Sequence, residues 1–318
     1  MNKLLIFVIS LIIIIASFIT LGPLTSQATG KPVYTPSVRA AAIDGLVHVD
    51  GQPVVVTIWV AVNPGEDPVG KARAALRRAY PDAQELLEHS DYALTGLLWD
   101  QFKDGDPGND QVVVNYNPQG VPINYSSADY RNTWLTAMAT WTDVPTSNFV
   151  YSGNSVDTTR CPSLVRECPG RQYFDANNDV GWLNITDPSV LGVTWYSTSR
   201  DEFDMALDNQ DFNWYVGDSD AIGGNQIDTQ TVWLHELGHG LGLGHSDVSG
   251  AVMEPYYAGV RRVLHQDDLD GVSYLYPTDN QPVPTATPTP TLTSTPTPTP
   301  GTGNPTPTPC WPPGKCKK

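Results

Sequence analysis

Residues 231–255 read TVWLHELGHGLGLGHSDVSGAVMEP. Histidines stand at 235, 239 and 245, a glutamate at 236, and glycines at 238, 240, 242 and 244. The stretch reads as a helix beginning at Asp228 or Thr229. Positions i and i+4 share a helical face, so the imidazoles of His235 and His239 reach the same point in space. Glu236 sits beside the first of them. This is the HExxH arrangement, which places two zinc ligands and a general base in one turn. Gly242 can take the positive φ that stops a helix and turns the chain sharply. The turn brings His245 back as a third ligand. Gly238, Gly240 and Gly244 cost helix stability, and the sequence gives no reason for them.

Three neutral imidazoles leave a fourth zinc position for water, the mark of a catalytic rather than a closed structural site. The metal lowers the pKa of that water and polarises a carbonyl oxygen. Glu236 is placed to take the proton and later hand it to a leaving amine. Peptide-bond hydrolysis needs that set of parts. The five fixed positions make the signal far more specific than a bare HExxH.

HELGHGLGLGH resembles the long metzincin zinc signature, HExxHxxGxxH. The following SDVSGAVMEPYY is similar to the matrixin branch, with Ser246 directly after the third histidine and Met253 at the Met-turn position. The resemblance implies that Met253 forms a hydrophobic floor beneath the metal. It implies that Pro255 and Tyr257 wall the pocket for the side chain after the scissile bond. LHQDDLDGVSYLYP resembles the matrixin closing helix, in which Asp267 and Asp268 would anchor the helix to the Met-turn region. Upstream, NPQGVP, DVGWLN, LGVTWYS and DEFDMALD extend the likeness over about residues 99–277.

What the likeness implies is an α/β (α+β) metzincin-like catalytic domain. It would have a twisted, mostly parallel sheet, a zinc-site helix and a small C-terminal subdomain after Gly242. The implied activity is that of an exported zinc endopeptidase binding protein or peptide substrates extended in a cleft. Strand addition to an exposed edge suits such a substrate, and Asp201–Asp208 is the candidate edge. The sequence departs from animal matrixins twice. The HGD-type ligands of a second, structural zinc are missing, so one zinc is expected. The cysteine that keeps those enzymes latent has no counterpart before residue 161.

Around this domain the chain is organised in pieces. Residues 1–28 read as a cleaved signal peptide, with Lys3 before an almost unbroken apolar run; an uncleaved membrane anchor is the rival reading. Residues 29–98 read as an accessory domain or propeptide. Within them LVHVDGQPVVVTIWVAV forms two strands around an Asp50-Gly51 turn, and PVGKARAALRRAYPDAQELLEHS a helix broken or kinked at Pro81. This region shows no catalytic grouping; His48 and His89 stand alone. Residues 99–280 form the main domain. There QVVVNYN reads as a strand, and a capping box at Ser126 and Asp129 opens a helix with Tyr130, Trp134, Ala137, Met138 and Trp141 on its apolar face.

Residues 281–309 are a Pro/Thr-rich stalk, about 90 Å if stretched at about 3.1 Å per residue. Residues 310–318 end in CWPPGKCKK. The four cysteines, 161, 168, 310 and 316, suit an oxidising compartment. Three pairings are open, and proximity favours Cys161 with Cys168 and Cys310 with Cys316.

Across its 318 residues the chain carries 18 Lys+Arg against 34 Asp+Glu, a net charge of −16. That argues against nucleic acid or an anionic membrane surface as partner. A secreted monomer is the expectation. Two acidic loops, DANND at 175–179 and GDSDAIGG at 217–224, offer oxygen ligands to calcium without matching a complete loop pattern. A rival reading makes the chain a surface-attached peptide-binding protein whose stalk and tail carry the biology.

Overall fold

The computed structural model describes residues 39–86, 94–95, 97–103, 110–153, 156–164, 168, 174–197 and 202–278. The expected signal peptide, stalk, His89 and the Cys310/Cys316 pair lie outside these residues.

The described residues open with a hairpin of β1 (Arg39–Val49) and β2 (Gln52–Val62). Asp50 (φ 51°) and Gly51 (φ 78°) form its turn, the two-residue geometry that suits twisted antiparallel strands. The strands alternate. Ala41, Ile43 and Val47 of β1 and Val54, Val56, Ile58 and Val60 of β2 belong to one core cluster. Helix α1 (Pro68–Ala79) covers it with Ala72, Ala75 and Leu76. Residues of the opposite register, Ala40, Val55 and Trp59, belong to a second cluster. Pro81 ends α1 rather than kinking it, because β3 (Gln84–Leu86) follows and pairs with β1.

The next elements supply the main sheet and its helical cover. They are β4 (Val112–Tyr116), α2 (Ser127–Thr142), β5 (Tyr151–Gly153), β6 (Asn178–Leu183), β7 (Val190–Ser197) and β8 (Glu202–Asp208). Short β9 (Asn213–Tyr215) and β10 (Gln226–Asp228) pair with each other outside that sheet. Helix α3 (Thr229–Leu241), β11 (Tyr256–Tyr257) and α4 (Gln266–Leu275) complete the described residues. The expected capping box forms at Ser126 and Asp129, and all five predicted apolar residues of α2 are buried. The Trp141 indole N–H donates to the Leu234 carbonyl at 2.9 Å, tying α2 to α3.

Nine strands share one sheet, in the order β11-β1-β2-β7-β8-β6-β4-β5, with β3 on β1. From β8 to β5 the pairs are parallel, as expected. β7 runs antiparallel to β8, and β2 runs antiparallel to β7, so the hairpin extends the sheet. The expected exposed edge at Asp201–Asp208 is corrected here. β8 has β6 on one side and β7 on the other, and every one of its residues is buried. Its carboxylates are used inside: Asp204 accepts from the Asp179 N–H and Asp208 from the Ile185 N–H. Among the described residues no helix is long and apolar enough to cross a membrane.

Candidate metal centre

Helix α3 starts at Asp228, whose carboxylate accepts the Thr231 N–H at 2.8 Å and pairs with Arg262. An acceptor at that position satisfies one of the orphan donors of the first turn. The helix runs through the core and ends at Gly242, φ 114°. A Cβ there would lie 2.6 Å from the Leu97 carbonyl oxygen, so both conformation and space demand glycine. The Leu243 N–H closes back on the Gly238 carbonyl at 2.9 Å. The chain reverses, and Ser246 N–H bonds the Met253 carbonyl at 2.9 Å.

This path brings His245 to the other two histidines. Its ring lies 5.3 Å from that of His235 and 4.7 Å from that of His239. One nitrogen from each ring lies within 4.8 Å of the other two. Each Nδ1 faces an oxygen: Val252 O for His235 at 2.7 Å, Leu243 O for His239 at 2.8 Å, and Asp44 Oδ2 for His245 at 3.0 Å. Acceptors at Nδ1 fix the proton there and turn the lone pair to Nε2. The Nε2 atoms of His235 and His239 then face each other at 3.2 Å with no proton between them. Two facing lone pairs call for a cation. A tetrahedral ion with bonds of about 2.0–2.1 Å has edges of roughly 3.3 Å, so these residues fit zinc. Burial, then the neighbouring imidazoles, pushes His235 well below its ordinary pKa; burial and His245 take His239 down to about 3. Both are neutral, as ligation requires.

Glu236 is fully buried. Its Oε2 accepts from the Thr194 hydroxyl of β7. Its Oε1 has no hydrogen-bond partner among the described residues. Burial pushes the carboxyl up to about 8, against the Thr194 hydrogen bond and His245, which lower it.

Met253 is 1 % exposed and lies so close to α3 that a Cβ on Gly238 would overlap its sulfur. Asp268 holds the Met253 segment by accepting the Val252 and Met253 N–H groups at 2.8 and 3.1 Å. Asp267 accepts the Ser246 hydroxyl at 2.6 Å. Pro255 and Tyr257 line the sheet edge. The Pro255 carbonyl accepts the Ala42 N–H of β1 at 2.8 Å, and Tyr257 pairs with Ala40. The Tyr257 hydroxyl accepts the Asp228 N–H at 2.9 Å.

Three residues of this site escape a reading of the sequence. They are Thr194, Asp44 and Trp59. Asp44 accepts the Thr57 hydroxyl at 2.7 Å as well as facing His245. His245, His239 and Thr57 outweigh its burial and hold it at about 2. The Trp59 ring stacks on that of His235 at 4.1 Å and 19°, and meets Tyr257 edge-on at 5.9 Å. The available signal was the pair Asp44 and Thr57, polar residues on otherwise apolar alternating strands. Polar groups on a buried face need partners; Thr57 bonds Asp44, and Asp44 in turn faces His245.

Farther away, the DANND loop already holds a cation. The Arg160 guanidinium grips the buried Asp179 through two hydrogen bonds of 2.8 Å. The neighbouring Cys161 and Cys168 are joined by a disulfide, with Cα atoms 6.2 Å apart.

Known proteins share this arrangement of sequence. A family model described as Matrixin matches residues 113–277, just over half of the chain. Karilysin of Tannerella forsythia is 30 % identical over 198 residues, covering 61 % of this chain and 36 % of its own length. Metalloendoproteinase 2-MMP of Arabidopsis thaliana is 31 % identical over 161 residues, 49 % of this chain and 39 % of its own. Stromelysin-3 of Xenopus laevis is 29 % identical over 201 residues, 61 % and 35 %. The chain thus spans little more than a third of the length of these curated relatives. The match runs from β4 to the end of α4 and contains the three histidines, Glu236 and the Met253 segment, and on that ground the chain belongs to the matrixin family.

Proposed function

We propose that the chain is an exported zinc endopeptidase, with His235, His239 and His245 as metal ligands and Glu236 as the general base. One observation carries the reading. A buried carboxylate oxygen without a partner among the described residues stands near His245, one of three imidazoles whose Nδ1 atoms are all engaged. Zinc, when bound, acidifies a water and polarises a carbonyl. Glu236 Oε1 accepts the proton and Thr194 keeps the carboxylate in place; the same oxygen then returns the proton to the leaving amine. Met253 shapes the site from below. Pro255 and Tyr257 wall the substrate pocket. Calcium enters the reading only through the acidic 217–224 loop, and calcium add-back after chelation tests it.

The segment 29–98 acts in this reading as a propeptide. β7 carries Thr194 on Glu236, so it is the strand along which an extended peptide would reach the base. β2 fills that edge in six registered pairs from Val55 to Val60. No peptide adds to β7 until the hairpin leaves.

The test is Glu236→Gln. Hydrolysis of a denatured protein by the processed chain should fall about 10²–10⁴-fold, with one zinc per chain retained. Unchanged turnover overturns the mechanism. N-terminal sequencing of the active form should begin after residue 62, and activity with the hairpin still attached and docked overturns the propeptide reading.

A further inference from the structure

Helix α3 ends inside the protein, where water does not reach its last carbonyls. Gly240 and Leu241 are buried, and so is Leu243 beyond the turn. A helix leaves its final four C=O groups without intrahelical partners. Here the carbonyls of Gly238 and His239 are met locally, by the Leu243 and Gly242 N–H groups at 2.9 and 3.0 Å. The next three are met from elsewhere in the chain. The Trp99 indole N–H donates to the Gly240 carbonyl at 2.9 Å. The Tyr276 hydroxyl donates to the Leu241 carbonyl at 2.7 Å, and its oxygen accepts the Trp99 backbone N–H at 3.3 Å. The Thr95 N–H donates to the Gly242 carbonyl at 3.0 Å. Leu94 adds an antiparallel bridge to Leu243.

Leu94, Thr95 and Trp99 stand before the stretch 113–277 that matches the family model, on the segment between β3 and β4. The turn they hold separates His239 from His245, and the Leu243 carbonyl within it faces His239 Nδ1 at 2.8 Å. We infer that residues 94–95 and 97–103 form a positioning strap for the candidate metal centre, with Trp99 as its anchor, and that the placement of His245 relative to His239 depends on it. Trp99 acts through Gly240 and the turn, not on the metal. A buried carbonyl that loses its donor costs more than the bond itself, because nothing replaces the water it gave up. That cost falls on the turn between two ligands. The turn cannot relax toward the strap, since the Leu97 carbonyl oxygen already fills the space where a Cβ of Gly242 would stand. Leu97, Trp99 and Phe102 are buried in the core, so the strap is fixed at its other side. On the endopeptidase reading above, on which this last point rests, the cut that frees the hairpin falls before Leu94 and leaves the strap on the catalytic side.

Metal binding by the full chain tests the strap. Trp99→Phe keeps a ring in the core and removes the donor from the Gly240 carbonyl. It should weaken zinc about 3–10-fold in competition with a chelator. It should also change the visible absorption of the cobalt-substituted chain, which reports ligand geometry. Val114→Ala, in β4 and in the same core cluster, is the control. It opens a cavity away from the turn and should lower the Tm while leaving both metal readouts at their wild-type values. Wild-type affinity and spectrum in Trp99→Phe, or an equal loss in Val114→Ala, overturns the role of the strap. Where Trp99→Phe does not fold, Tyr276→Phe takes its place. It loses the hydroxyl that meets Leu241 and Trp99, and unchanged affinity in that variant overturns the strap as well.

The second measurement is the amino terminus of the active form. The zinc-loaded chain, wild type, is allowed to process itself or is nicked with a trace of a second protease, and the product that cleaves a denatured protein is sequenced. Its first residue should lie at or before Leu94. Active, zinc-bound material that begins after Trp99 overturns the strap. A chain that no cut makes active sinks the endopeptidase reading, while the zinc and cobalt measurements still decide the strap.

Discussion

Asp44 and His245 lie 201 residues apart in the chain, yet Asp44 Oδ2 faces His245 Nδ1 at 3.0 Å. With the Nδ1 proton directed at a carboxylate, the ring is fixed in orientation and made more basic at Nε2. His235 and His239 take backbone carbonyls for the same purpose. The hairpin therefore supplies a part of the candidate metal centre that it also covers. Asp44→Ala in the full chain should weaken zinc retention about 10–100-fold, the usual cost of losing such a partner. Competition with a chelator measures it, and a variant that holds zinc as tightly as wild type refutes the role.

What could be read in the sequence was local. The i, i+4 spacing of His235 and His239 is a property of one helix. Gly242 turned out at φ 114°, and Asp50-Gly51 formed a hairpin turn, because each conformation is set within a few residues. Strand neighbours are set at long range, which is why β8 read as an edge. Its alternation of Glu202, Asp204 and Asp208 with apolar residues resembles a half-exposed strand, whereas both faces and both edges are covered. Trp59 escaped for the same reason. Nothing near it in sequence announces an imidazole supplied from α3.

Gly238 illustrates a requirement visible only in three dimensions. An alanine there gains up to about 1 kcal/mol of helix propensity. Its Cβ, however, would overlap the Met253 sulfur and stand 3.1 Å from the Trp141 ring. Overpacking of that kind costs typically 1–3 kcal/mol. Gly238→Ala should lower stability by up to about 2 kcal/mol net and displace Met253. Urea unfolding checks the sign; a stabilised variant means that the Met253 segment yields freely.

Acid should loosen the hairpin unit from the rest of the sheet. Arg78 of α1 pairs with Asp187, before β7. Burial pushes the Asp187 carboxyl up, but Ser189 and Arg78 outweigh it, and the pKa stays below the ordinary value. A folded-state pKa below the unfolded one, about 3.9, contributes stability above that pH, lost as the pH falls through the folded value. Arg78 is more than half exposed, so screening keeps the pair below about 1 kcal/mol. Arg78→Ala should therefore lower the urea midpoint slightly at pH 6 and by less at pH 2. An equal loss at both values assigns the effect to packing instead.

Thr194 offers the most direct control on the proposed base, Glu236. Its hydroxyl donates to Glu236 Oε2, and burial alone would leave that carboxyl still higher than about 8. A hydrogen bond given to a carboxylate favours the charged form. Valine keeps the shape of threonine and removes the donor. A hydrogen bond to a charged group contributes roughly 1.5–3 kcal/mol, so Thr194→Val should raise the Glu236 pKa by about 1–2 units. The base accepts a proton only when ionised. The acid limb of the kcat/KM profile should therefore move to higher pH by about the same amount, with the rate on the plateau little changed. A bound cation lowers the pKa of Glu236 in both proteins, so the difference between the two profiles survives metal loading. Profiles that superimpose, at equal zinc content, mean that Thr194 does not govern the ionisation of Glu236, and that another group holds the carboxylate in its working state.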